Sequence, residues 1–358
     1  MNTTLTYIRY FVRKISRKEM EGQQDFSKLL FLNRFSIIVI LLILSRLDGY
    51  AQDPRFSQFY ANPLYLAPSF AGATEENRLA LNYRNQWPGI PGAFVTYSFS
   101  YDYNFANYNS GIGILATHDR AGSGRLSNTN VGVMYSYNIK INKYLHIRPG
   151  LSFYYTQRGL DFWRLTFSDG MSPSGDTPTI EQPPFNNVAD IDAGASILAY
   201  TDRIWLGTTV DHMLTPNQSL YGEVSEIPLK VSVFGGIQVM RKGRLLKPLE
   251  ESLSIAFHFE TQGKFTQLDL GLYWLKSPIV FGFWYRGLPG IHDGFDRDAI
   301  VFLAGYKTTQ FQVGYSYDFT ISKLVGATGG SHEISCIYEF RTNKRKKRKI
   351  YAIPCPEF

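Results

Sequence analysis

The feature that most constrains this chain is strict alternation of apolar and polar residues over unusually long stretches. Val95, Tyr97, Phe99, Tyr101, Tyr103 and Phe105 alternate with Thr96, Ser98, Ser100, Asp102 and Asn104. The pattern recurs at Val131–Ile139 and again at Phe311–Phe319. Successive side chains of a strand point to opposite faces, so each stretch is a strand with one apolar and one polar face. The stretches are about 9–12 residues long, whereas strands of water-soluble proteins average about five or six. Nine to eleven tilted residues are what a strand needs to cross a bilayer. About fourteen such strands are expected, at 79–87, 94–105, 110–119, 128–139, 144–157, 188–200, 204–212, 229–240, 252–262, 265–276, 279–286, 299–306, 311–319 and 333–340. The expected fold is all-β: a transmembrane antiparallel β-barrel spanning 79–340. A large soluble sandwich is the alternative, and alternation by itself does not exclude it.

Connection lengths favour the barrel. If both ends of the chain lie on the inner side of the membrane, the inner turns are mostly short: 106–109, 140–143, 201–203, 277–278 and 307–310, with 241–251 longer. The outer set includes 120–127, 158–187, 213–228, 287–298 and 320–332, although 263–264 is very short. Short turns alternating with long loops are the habit of outer-membrane barrels. All five Trp (Trp87, Trp163, Trp205, Trp274 and Trp284) fall at or near expected strand ends or in loops, which suits rings at a membrane–water boundary.

The N-terminus carries a different signal. A basic, polar stretch over 1–36 precedes the apolar run Ile37–Leu44, and Gly49 and Ala51 supply small residues before a cut. This is the layout of a secretory signal peptide over 1–51, with Met20 a second candidate start. The apolar run is far shorter than the roughly 20 residues of a spanning helix. Dividing the charge is instructive. The chain carries +7 overall, but 1–51 holds eight basic and four acidic residues, and 341–349 holds seven basic and none acidic. Residues 52–340 are therefore net −3, and a nucleic-acid partner, which needs a folded basic face, is not expected. Two cysteines, Cys336 and Cys355, exclude a disulfide framework and a cysteine zinc site.

No catalytic, cofactor or metal site is expected. The histidines lack metal-ligand spacing, and no nucleophile elbow or phosphate loop is present. Ser254 and His258 stand four apart on one strand face, the one pair that an outer-membrane hydrolase could use. Two flanking segments are more informative. Residues 52–78 hold Pro54, Pro63 and Pro68, which forbid regular structure, together with Phe56, Phe59, Tyr60, Leu64, Tyr65 and Phe70, which need cover from water. Such a segment either plugs the lumen or docks a periplasmic partner. The tail 341–358 is a basic run that ends in Pro-Cys-Pro-Glu-Phe, expected on the periplasmic side, where lipid phosphates or an acidic partner would hold it.

Several motifs stand in order along the chain. They are Phe56-Ser-Gln-Phe-Tyr-Ala-Asn-Pro through Gly72, Tyr83-Arg-Asn-Gln-Trp-Pro88, Leu165-Thr-Phe-Ser-Asp169 and Leu214-Thr-Pro-Asn-Gln-Ser219. Trp284-Tyr-Arg-Gly-Leu-Pro289, Tyr315–Leu324, Ser331-His-Glu333 and Cys355-Pro-Glu-Phe358 follow. Together these motifs resemble the PorP/SprF family of type IX secretion and gliding proteins, over essentially the whole chain after residue 51; Gly170 departs from it, where the family pattern has Gln. The resemblance implies a non-catalytic outer-membrane barrel. Its partners would be a secreted, adhesin-type surface protein with a C-terminal targeting domain, and periplasmic and outer-membrane components of the secretion machinery. A channel for small solutes is the alternative function. The matched motifs and chain ends nominate Arg55, Phe56, Phe59, Tyr60, Asn62, Pro63, Trp87, Arg286, Cys355 and Phe358 as partner-contacting residues.

Overall fold

The computed structural model describes residues 53–165, 185–222, 224–242, 250–288, 296–322, 326 and 328–342. The leader 1–51, most of the basic tail, Cys355 and Phe358 lie outside the described residues, as do residues 166–169 of one matched motif.

The strands are β1 (Asn77–Gln86), β2 (Phe94–Phe105), β3 (Ser110–Ala121), β4 (Leu126–Tyr137) and its two-residue continuation β5 (Ile139–Lys140). Then come β6 (His146–Gly159), β7 (Asn187–Tyr200), β8 (Ile204–Asp211), β9 (Lys230–Lys242) and β10 (Glu251–Gln262). The last five are β11 (Phe265–Lys276), β12 (Ile279–Leu288), β13 (Asp296–Lys307), β14 (Phe311–Thr320) and β15 (Ser331–Phe340). Sequence neighbours pair antiparallel, except that β4 and β5 both pair with β6 rather than with each other, and β1 pairs with β15 through ten residues from Asn77↔Phe340 to Gln86↔Ser331. The sheet is therefore a closed barrel of fourteen strands, β4 and β5 counting as one. Every expected strand is present, with ends shifted by a few residues.

Which face points inward decides against a soluble sandwich. On β2, Tyr97 and Phe99 are 49% and 41% exposed, while Ser98, Ser100 and Asp102 are 4%, 1% and 0% exposed. The same inversion holds across the barrel. Ile112, Ile114, Val131, Val133, Leu151 and Phe153 face outward, while Arg84, Arg286, Asp318 and Glu333 are buried within. A soluble protein would bury the apolar set, because each Å² returned to water costs about 25 cal/mol. An apolar outside around a polar inside is stable only in lipid. A closed cylinder also leaves no unpaired backbone edge in the hydrocarbon layer.

Two tryptophans correct the boundary-belt expectation. Trp205 and Trp284 are each 1% exposed and point into the lumen. Trp284 lies within β12 opposite Gly271, where a Cβ would come 2.0 Å from its indole ring; the missing side chain is what makes room. Trp163 and Trp274 are 85% and 39% exposed. Proximity to a strand end does not specify which face a side chain takes; strand parity does.

Candidate functional site

The segment before β1 lies inside the barrel. Its prolines set its local form: a 3-10 turn at Phe59–Ala61, one helical turn at Pro63–Leu66 and a second 3-10 turn at Pro68–Phe70, with proline at the first position of the last two. Its apolar side chains fill the lumen. Ala61, Leu64 and Ala67 are 0% exposed and Phe70 1%. Phe59 packs between Trp284 and His258, with ring centroids 4.7 and 4.9 Å away. Tyr60 takes a hydrogen bond from Trp205 Nε1 at 3.1 Å, and Phe70 meets Phe234 at 5.7 Å.

The partners of successive residues give the direction of travel. Asp53 contacts His212, Lys230 and Gln262, all at strand ends on the long-loop side. Ser57 and Gln58 reach Asp318 and Glu333 farther down, and Asn62 Nδ2 donates to Ser98 Oγ at 2.9 Å. Ser69 and Ala71 meet Arg148 and Ser136 at the short-turn end, and Gly72 N donates to Asp102 at 2.8 Å. The segment thus enters at the long-loop end and descends the whole lumen before turning back as β1.

Buried charge clusters hold it at three levels. At the top, His212 lies 2.8 Å from Asp53 Oδ2 and 2.6 Å from Asp192, and Lys230 Nζ is 3.0 Å from Asp53. In the middle, Arg84 pairs with Asp318 at 2.8 Å and Glu333 at 3.1 Å, while Arg286 reaches Asp318 at 3.2 Å. Ser57 sits among these groups: its hydroxyl donates to Asp318 at 2.5 Å, and its amide and that of Gln58 donate to Glu333 at 2.7 and 3.0 Å. At the bottom, Arg78 Nε donates to Asp102 at 2.8 Å and its Nη2 to the Phe70 carbonyl at 3.0 Å. Close approach of plug to wall requires glycine at Gly111 and Gly150, where a Cβ would stand 2.2 Å from Ala71 O and 2.3 Å from Ser69 N.

The top cluster has a definite pH signature. Burial opposes the charge of both partners, but each offsets it for the other. His212 and Lys230 hold Asp53 well below the usual carboxylate range, and Asp53 and Asp192 push His212 up to about 10. The depressed Asp53 contributes stability above the unfolded carboxylate pKa of about 3.9, lost as pH falls through its folded value. The raised His212 contributes fully below about 6.5 and progressively less until it is lost as pH passes about 10. Thermal unfolding in detergent is therefore expected to lose stability from about pH 6.5 toward pH 10, and His212→Gln to flatten that alkaline decline. An identical decline in the variant would show that His212 does not hold the plug.

The eight nominated residues that the structure describes divide into two groups. Phe56, Phe59, Tyr60, Asn62 and Pro63 are buried against the barrel's own wall. Arg55, Trp87 and Arg286 come together around a cavity of about 470 Å³ at the long-loop end, whose floor is Asp53–Arg55. Arg55 Nε donates to Glu260 at 3.0 Å and its Nη1 to Gln267. Trp87 packs edge-on against Phe94 at 5.7 Å. Ser254 and His258 both face the lumen, but the His258 ring is covered by Phe59. Among the described residues no group of three His, Cys, Asp or Glu could hold a metal. The charged wall residues Arg78, Arg84, Asp102, Arg148, Asp318 and Glu333 were not among the nominated residues. Their signal was available: each is charged and sits on the polar face of an alternating strand.

The structure is similar in fold to solved outer-membrane proteins. The Pseudomonas putida toluene transporter TodX aligns with TM-score 0.47 and 11% identity over 77% of this chain and 93% of its own. The Ralstonia pickettii toluene transporter TbuX aligns with TM-score 0.47 and 11% identity over 78% and 93%. Acinetobacter baumannii Omp33 aligns with TM-score 0.39 and 8% identity over 74% and 99%. No curated protein matches the sequence. The model of the family described as type IX secretion system membrane protein PorP/SprF matches residues 48–338. With closed barrel, apolar belt and aromatic N-terminal segment in place, the chain belongs to the PorP/SprF family of type IX secretion system membrane proteins and resides in the outer membrane.

Proposed function

We propose that this barrel is a closed, non-catalytic anchor that holds a secreted, adhesin-type protein at the cell surface through its long-loop end. On this reading the signal peptide 1–51 directs export, the long loops face outward and the short turns face the periplasm. The supporting observation is that the lumen is filled by the chain itself, so the polar interior serves to fix a plug and the outer surface is what remains for a partner. Arg55 and Trp87, at the outer cavity, are the nominated residues that a partner can still reach, whereas Arg286 is buried in the cluster that holds the plug. At the other end Arg341 pairs with Glu75, and Thr342 N donates to Glu76 at 2.8 Å, so the basic tail leaves from a fixed point where periplasmic secretion or gliding components would meet it. A small-solute channel has no support from a filled lumen.

Deleting the gene is expected to leave the outer membrane intact while at least one type IX substrate is lost from the cell surface into the medium or retained inside. Surface proteomics of the deletion strain reads this directly. Unchanged surface attachment of every such substrate would refute the proposal.

A further inference from the structure

The strongest unused feature is an open sheet edge at the long-loop end of β7. All fourteen β7 residues pair with β6, from His146↔Tyr200 to Gly159↔Asn187. Only Ala195–Tyr200 pair with β8. The chain leaves the sheet just after β8, where His212 and Thr215 adopt left-handed φ values of 59° and 43°, a conformation that side-chain-bearing residues seldom take. The chain then folds into a small hairpin closed by the Asn217↔Glu226 bridge, and Gln218 Nε2 donates to Thr156 at 2.7 Å. The neighbour that would have continued the ladder thereby leaves it, and its main chain reaches β7 through Met213 N, on Ala193 O, and Asn217 N, on the Asp190 carboxylate at 2.9 Å.

What remains on β7 is a row of main-chain groups facing outward from the sheet. Ala193 O accepts from Met213 N at 3.0 Å. The amides of Ile191 and Ala193 are held only by the carboxylates of the residues before them, Asp190 and Asp192, at 2.8 Å. Among the described residues, the Ala189 amide and carbonyl and the Ile191 carbonyl have no partner. Ile191 is 65% exposed, and Met213 and Leu214 beside it are each 51% exposed.

Height decides which environment this edge meets. Ile191 lies nine residues above the short-turn end of β7, about 30 Å along the strand. At the usual barrel tilt that is about 23 Å of height, just inside the outer rim of an apolar band about 25 Å tall, and Ala189, two residues farther on, stands at about 28 Å, above it. An open edge within hydrocarbon would leave backbone groups unsatisfied at a cost lipid does not tolerate. Residues 187–189 therefore meet water, where a partner can reach them, and Ile191 sits at the boundary.

We propose that the β7 edge at Asn187–Ile191 receives an extended segment of the secreted partner as an added strand. Donors and acceptors on alternate residues, about 7 Å apart, are matched by another extended main chain and by neither a helix nor a lipid headgroup. Ile191, Met213 and Leu214 would cover the apolar side chains of the incoming strand. The Asp190 carboxylate already accepts from Ile191 N and Asn217 N, and its charge favours a basic over an acidic residue beside it. This inference rests on the reading of the long-loop end as partner-facing.

The test uses the full chain in detergent micelles with, as probe, the purified C-terminal targeting domain of a secreted protein from the same cell. Hydrogen–deuterium exchange at Ala189 and Ile191 should slow by at least about tenfold on binding, as a new ladder hydrogen bond requires. Ala189→Pro removes the open amide without touching the β6 ladder, and proline is tolerated on strand edges. It should weaken binding by about tenfold or more, while Ala189→Ser binds normally. Binding without protection at 187–191, and unaffected by proline, would overturn the strand-addition proposal and leave the anchor reading standing. Failure of every targeting domain to bind would contradict both.

Discussion

Replacing Arg84 with methionine is expected to destabilise the folded barrel by about 3–5 kcal/mol, the usual consequence of removing one member of a buried ion cluster. Arg84 is 2% exposed and supplies two of the contacts that balance Asp318 and Glu333. Without it, Glu333 loses its guanidinium contact, and Asp318 is left with Arg286, which also pairs with Asp269 at 3.4 Å. Both carboxylates also hold the plug, through the Ser57 hydroxyl and the amides of Ser57 and Gln58. The loss should therefore appear as lowered unfolding temperature and as release of the N-terminal segment together. Adding Glu333→Gln removes the excess charge while leaving an acceptor for those amides, so the double variant should regain much of the stability. Unfolding in detergent followed by circular dichroism measures both. A loss below about 1 kcal/mol for Arg84→Met would mean that water reaches the cluster and screens it.

Gly150→Leu should open the barrel. A Cβ at Gly150 would lie 2.3 Å from Ser69 N and 2.6 Å from Pro68 C, and these are backbone atoms that cannot rotate away. Gly111→Leu makes the same conflict with Ala71 O. The wall is hydrogen-bonded on both sides at these positions, so the lower half of the plug is what yields. Fourteen strands enclose enough space for water once it has gone. Planar-bilayer recordings should show ion conduction for each variant. Ile112→Ala, on the lipid face beside Gly111, changes nothing in the lumen and should behave like the unaltered protein. Silent Gly150→Leu and Gly111→Leu barrels would mean that the segment adapts in place.

The wall of this molecule was legible because one physical rule governs it. A strand with lipid on one side and a polar lumen on the other must alternate, and the alternation in β2, β4 and β14 marked those strands closely. The break between β4 and β5 was not legible, because the alternation runs on through Ile139. The inward turn of Trp205 and Trp284 was not legible, because residue type was read where strand parity decides. The path of the plug was harder still. Pro54, Pro63 and Pro68 announced an irregular segment, and its aromatic residues announced a need for cover. Nothing local specified that Ser57 would meet Glu333, 276 positions away, or that the segment would run from the long-loop end downward. Such contacts come from closure of the barrel around the segment. The charged residues of the polar faces were the best available pointer to it, since a polar lumen face that carries Arg84, Arg286, Asp318 and Glu333 needs something to neutralise and fill it.

The central claim is that this chain plugs its own lumen and works as a scaffold for other proteins. The unaltered protein's conductance in planar bilayers tests it most directly. The structure predicts an electrically silent barrel across the voltage range, with current appearing only when the plug is displaced. Steady ohmic conduction by the unaltered protein would contradict the account and return the molecule to the class of solute channels.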